Sequence, residues 1–199
     1  MMSKRILNLI IAALLLLVTL SSCSSAASVK ISEMSLEELE ECVSLCQYKD
    51  LELTLGAKNK EEALLSHIDA NSSIKKYPAG TVGYYFEQLK KQYRYYAEEA
   101  DMRYEAMLDE LGEDNVTMKA EAKRLVKNDL IFELIRKKEG ITLTDAEKTQ
   151  FFDKYVQKYA ERYKYSEEYV REELSSLVYD SMLYDKTVEF LILHNSFVE

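Results

Sequence analysis

Cys42 and Cys46, His67 and His194 are the side chains past the first thirty residues best suited to redox, nucleophilic or metal chemistry. On a helix the C-x-x-x-C spacing would set both thiols on one face, where a disulfide is strained, and the C-x-x-C spacing of redox pairs is absent. Two free thiols are therefore expected, with a local disulfide as the lesser alternative. Neither histidine has a second one at i+3 or i+4, so a zinc site from Cys42, Cys46 and His67 is a minor alternative, and no metal or cofactor is expected. The chain lacks G-x-S-x-G, Walker, G-x-G-x-x-G, H-E-x-x-H and S-x-x-K motifs. Acid pairs such as Glu37-Glu38, Glu98-Glu99 and Glu172-Glu173 read as solvated helix faces, because a glycosidase acid needs apolar shielding to raise its pKa. No catalytic residue is assigned, and the chain reads as a non-enzyme.

Cys23 has a different chemistry. Lys4 and Arg5 precede an apolar run from Ile6 to Leu20, followed by Ser21, Ser22 and Cys23, the layout of a secretory signal. The run is shorter than the ~20 residues that cross a bilayer permanently. Leu20-Ser21-Ser22-Cys23 resembles a bacterial lipobox, whose cysteine takes a diacylglyceryl thioether and becomes the first mature residue. Two acyl chains suffice for stable anchoring. Residues 1–22 then read as a lipoprotein signal peptide and 23–34 as a flexible tether, and the expected location is the extracytoplasmic face of the bacterial cell membrane.

The elements that must position any binding surface are helical. In 199 residues there are five Gly and one Pro, too few for turn-dense β architectures, with 47% apolar and 31% charged side chains. A formal charge of -9 argues against nucleic acid, which needs a concentrated basic face. Fifteen Tyr and no Trp fit either a wet contact surface or core packing, and the sequence leaves both open.

Ser35 to Glu38 is a capping box opening a helix near 36–46, and 48–55 alternates as one extended segment. Asn59 opens a second helix through Ile68. From Val82 to Leu111 one apolar stripe predicts a single helix of roughly 45 Å, stopped by Gly112. A further helix from about Met118 ends at Gly140; Thr144 to Glu147 caps the next, and Ser166 caps a last one running to Ile192. The fold class expected is all-α, an extended helical cradle with long arms and at most one short strand near 48–55. Residues 35–77 hold the short helices and extended arm, and 78–199 the main helical domain.

The string from Lys119 to Ile141, with its Lys138-Glu139-Gly140-Ile141 corner and the Thr144-Asp145-Ala146-Glu147 cap, resembles the carboxy-terminal domain of trigger factor and related SurA-like peptide-binding domains. The likeness covers about residues 78–197, and Val43 to Leu53 resembles the segment that leads into the prolyl isomerase domain of trigger factors, with Cys46 in place of the usual Gly. Between Gly56 and Tyr77-Pro78 only about twenty residues stand where that domain would sit, so the resemblance implies no isomerase. The Gly-Phe-Arg ribosome-docking signature is absent too.

What the resemblance implies is a holdase: a membrane-anchored extracytoplasmic chaperone that takes unfolded or newly exported polypeptides as partners, without ribosome or nucleic acid. Candidate client-binding residues, chosen for apolar helical position, are Tyr93, Tyr96, Tyr104, Met107, Met118, Phe151 and Tyr155. At about 25 cal/mol per Å², a few hundred Å² of apolar burial offsets much of the association cost while staying reversible. The alternatives are a lipid-anchored scaffold holding one folded partner and, third, a thiol enzyme using Cys42 and Cys46.

Overall fold

The computed structural model describes residues 30–199; the signal segment, Cys23 and most of the tether lie outside them. The described chain is helical throughout, with four strands of two or three residues. A 3-10 turn, Ile31–Glu33, precedes α1 (Leu36–Cys42), β1 (Val43–Ser44), β2 (Glu52–Thr54), α2 (Lys60–Asn71), β3 (Ser73–Ile74), α3 (Thr81–Glu99), α4 (Tyr104–Leu111), α5 (Asn115–Glu139), α6 (Asp145–Tyr163), α7 (Glu167–Glu173), α8 (Ser175–Leu193) and β4 (Ser196–Val198). Among the described residues no helix is long and apolar enough to cross a membrane.

Three capping boxes start helices where the sequence places them. Ser35, Asn59 and Thr144 each accept from the backbone N–H three residues on, and Glu38, Glu62 and Glu147 reach back to the cap's own N–H. Gly140, at φ 63°, ends α5, and the Ile141 N–H donates to Arg136 O at 2.9 Å. That is a Schellman turn, with Ile141 buried as its apolar lock.

Two expected helices are broken. The single 45 Å helix over 81–111 is α3, about 28 Å long, followed by a turn and α4. Asp101 takes φ 52°, the Met102 N–H donates to Ala97 O (2.8 Å) and the Asp101 N–H to Glu98 O (3.0 Å), again a Schellman turn with Asp in the glycine position. The stripe survives the break because both helices aim it inward, where Tyr96, Ala97 and Met107 are buried and Met102, Tyr104 and Leu111 pack on them. The last helix breaks at Leu174 (φ -118°, ψ 14°) into α7 and α8. Helix α1 stops at Cys42 because Val43 is extended (φ -125°, ψ 136°) and begins β1.

The extended segment at 48–55 is β2, and it has a partner the sequence did not signal: β4, in parallel. A second pair, β1 with β3, is antiparallel through Val43–Ile74 and Ser44–Ser73.

The chain forms two compact units. The first holds residues 30–34 and Tyr77–Asp129; the second holds Ser35–Lys76 and Leu130–Glu199. In the second unit, Val156, Tyr159 and Ala160 of α6, Val170 of α7 and Leu177, Val178 and Met182 of α8 make one core. Lys186 on α8 reaches the α6 cap, with its Nζ 2.6 Å from Glu147 Oε1 and 2.8 Å from Thr142 O. Lys49 pairs with Glu139 at 2.7 Å, Lys76 with Glu41 at 2.6 Å, and Lys138 with Glu40.

Candidate functional site

The structure sorts the tyrosines. Several spend their phenol on a partner side chain: Tyr48 donates to Glu139 (2.6 Å), Tyr155 to Asp185 (2.6 Å), Tyr184 to Glu61 (3.0 Å) and Tyr85 to Asp129. Tyr159 shares a hydrogen bond with Ser181 at 2.8 Å, and Tyr96 accepts one from Gln92 at 3.0 Å. Burial, then the neighbouring carboxylate, pushes the phenols of Tyr48 and Tyr155 far above their ordinary value; Tyr184 is raised likewise, with Glu61 as its nearby charge. Glu139 moves the other way: burial would raise it, but hydrogen bonds from Lys49 and Tyr48 outweigh that and hold it low. Tyr85, Tyr155, Tyr159 and Tyr184 thereby latch one helix to another, Tyr48 latches a loop to α5, and Tyr96 is held within α3.

A second group forms a row at the α6–α7 corner. Ring centroids lie 5.2 Å apart for Tyr159–Tyr163, 6.4 Å for Tyr163–Tyr165 and 5.1 Å for Tyr165–Tyr169. The row climbs from the core to solvent, with exposure of 7% at Tyr159, 37% at Tyr165 and 45% at Tyr169. Local structure dictates this climb. Lys164 takes the left-handed conformation (φ 61°), so the Tyr165 N–H donates to Ala160 O at 3.1 Å and the chain turns back over the end of α6. Ser166 then caps α7 by accepting from the Tyr169 N–H at 3.2 Å, which fixes where Tyr169 emerges. Arg162 stands over Tyr163 at 5.6 Å. In the same unit Phe152 packs on Tyr179 at 5.0 Å with Arg171 over its ring, and Phe151 is 39% exposed. Such a surface can stack on apolar and aromatic side chains at low entropic cost, since each Tyr has only two rotatable angles.

Of the seven residues chosen from the sequence, Tyr96, Met107 and Met118 are buried at 6%, 2% and 1% exposure. A partner could reach them only if their packing opened. Tyr93 and Tyr104 are half-buried; burial raises the Tyr93 phenol to about 12, and the Tyr104 ring lies under Arg94. Tyr155 is half-buried and latched to Asp185. Phe151 alone of the seven stands in the exposed class. Choosing residues by helical stripe selects for core, so the choice passed over Tyr165, which sits in a turn, and Tyr169. For Tyr165 the signal was position: an aromatic just past a helix end has no stripe to bury it.

Cys42 is buried and Cys46 half-buried, both as free thiols. Burial raises the Cys42 thiol. His67 contacts Asn71, and His194 stacks on Phe190 at 4.0 Å. Among the described residues no group of three His, Cys, Asp or Glu side chains could hold a metal ion.

An all-helical chain with this α5 corner and α6 cap is the class of fold seen, and comparison with known proteins names the family. Residues 35–193 match the model of the bacterial trigger factor protein C-terminus, so the chain belongs to that family. The match begins at α1 and takes in both the Val43 to Leu53 string and most of the 78–197 region. Trigger factor from Carboxydothermus hydrogenoformans is 32% identical over 131 residues, which cover 64% of this chain and 29% of the relative. The chain thus spans less than a third of the relative it matches. No solved structure matches it significantly.

Proposed function

We propose that the protein is a membrane-anchored extracytoplasmic holdase that binds unfolded or newly exported polypeptides and has no prolyl isomerase activity. The observation that carries this is the exposed Tyr165–Tyr169 end of the aromatic row, with Phe151 exposed on the same unit, in a member of the trigger factor C-terminus family. An exposed aromatic surface binds apolar side chains largely by area, which suits clients without a fixed sequence. Anchoring is supported by the lipobox-like string ending at Cys23.

The purified 24–199 chain is expected to slow the aggregation of several unrelated denatured proteins at a few-fold molar excess. Capture of one native partner, with no effect on aggregation, would turn the reading to a scaffold. In cells, Cys23→Ser is expected to move the protein from the membrane to the soluble fraction and abolish acyl labelling. A Pro-limited refolding reaction should proceed at its uncatalysed rate.

A further inference from the structure

The β2–β4 pair is an unusual element. Parallel strands are ordinarily buried on both faces inside larger sheets, and two strands alone are marginal. Here the register is Glu52–Ser196, Leu53–Phe197 and Thr54–Val198, and only Leu53 and Phe197 are half-buried while the flanking residues are exposed. The segment just before β4 is fixed by side-chain bonds. Asn195 Oδ1 accepts from the Leu51 N–H at 2.9 Å, and its Nδ2 donates to Tyr48 O (2.9 Å) and Leu191 O (2.7 Å). The Asp50 N–H donates to His194 O at 2.9 Å. Past this staple the strap runs in register with β2, flanked by backbone bonds from Ser196 N–H to Leu51 O (2.9 Å) and from Leu55 N–H to Val198 O (2.8 Å), with Ser196 Oγ donating to Leu51 O (3.0 Å) and Phe197 under Lys60. A firm hinge followed by a strand that half-buries one side chain and leaves its flanks exposed is an arrangement that opens locally at low cost.

We propose that β4 is an internal stand-in, and that the edge of β2 it covers is a binding site for an extended apolar segment of another polypeptide. The proposal rests on the polypeptide-binding reading above and gives it a second, backbone-directed site. An incoming segment adds as a parallel strand in place of β4: its N–H bonds Leu51 O, its carbonyl accepts from the Leu55 N–H, and an aromatic side chain takes the place of Phe197 opposite Leu53. Strand addition draws affinity from the backbone and selectivity from alternate side chains, so it too accepts many sequences.

The test uses a fluorescent peptide of residues 195–199, Asn-Ser-Phe-Val-Glu, and the same peptide with Phe197→Ser. A chain ending at Asn195 keeps the staple and uncovers the edge; it is expected to bind the first peptide at least tenfold more tightly than the intact chain does, and the Phe197→Ser peptide no better than the intact chain does. Amide exchange at Leu55 should speed up on truncation and slow again with the first peptide bound. Should the truncated chain fail to fold, the full-length Phe197→Ser variant carries the same expectation. No gain in affinity by a folded variant overturns the proposal, as does dimerisation of that variant without peptide binding, which would assign the edge to a second copy. Because the readout is peptide affinity, its failure is separable from failure of the aggregation assay.

Discussion

The two units present their aromatic side chains differently: the first exposes Tyr95 from within α3, the second a row of tyrosines at a helix end. In the first, the α3–α4 hairpin folds Tyr96 and Met107 inward, while Glu98, Glu99, Glu105, Asp109 and Glu110 stand exposed without an ion pair among the described residues. In the second, the α6–α8 core lets its aromatic row run out to solvent, and Glu139, Glu41, Glu40 and Glu147 are engaged by Lys49, Lys76, Lys138 and Lys186. The contrast teaches that a Tyr- and Met-rich composition does not by itself mark a binding surface. Tyr96 is sealed where the hairpin closes over it while its neighbour Tyr95 on α3 is exposed, and Tyr165 is presented where a turn carries the chain past the end of α6.

The largest effect should come from emptying the sealed side. Met107→Ala leaves a void in a small core and is expected to cost about 3 kcal/mol of stability, read by denaturant unfolding, while aggregation suppression below the unfolding transition stays unchanged. On the presented side the reverse is expected. Tyr165→Ser combined with Tyr169→Ser should weaken client binding about tenfold, or about 1.4 kcal/mol, with little change in unfolding. If Met107→Ala abolished client holding at temperatures where the chain stays folded, or the Tyr pair proved silent, the comparison between units would break.

Two smaller effects sharpen it. Lys164 and Asp101 both adopt left-handed backbone, and Asp tolerates that region better than Lys. Lys164→Gly should therefore stabilise the second unit by about 1 kcal/mol, and Asp101→Gly the first by less, each measured by thermal unfolding. The last prediction concerns acid. The Lys186 ammonium, then the Thr144 N–H and hydroxyl, hold Glu147 down at about 2. Its folded pKa is below the unfolded one, so its contribution is complete above an ordinary carboxylate pKa near 4.5 and fades as pH falls toward 2. Asp114 is lowered as well, by the backbone N–H groups of Thr117 and Val116, but it caps only its own helix. Glu147→Gln should accordingly flatten the acid limb of unfolding of the second unit, and Asp114→Asn should flatten that of the first by less.

Local chemistry made much of the fold readable. Capping boxes at Ser35, Asn59 and Thr144 and the glycine at Gly140 act within a few residues, and each does in the structure what its sequence says. The breaks at Asp101 and Leu174 were hidden because an inward-facing stripe keeps its period across a hairpin, and a left-handed Asp has no unique signature. The strand pairs were hidden because Val43–Ile74 and Leu53–Phe197 join residues far apart in the chain, and the Asn195 staple is a tertiary fact with no local pattern. At the surface, helical period located Tyr93 to Tyr155 correctly on helices but could not tell a sealed face from an open one.

Cys42 is sealed within the second unit and Cys46 is half-open beside it, and among the described residues the first unit has no thiol at all. An alkylating reagent therefore acts as a stopwatch for one half of the molecule. Prompt modification reports Cys46, and slow modification of Cys42 times the breathing of the second unit alone, whatever the first is doing.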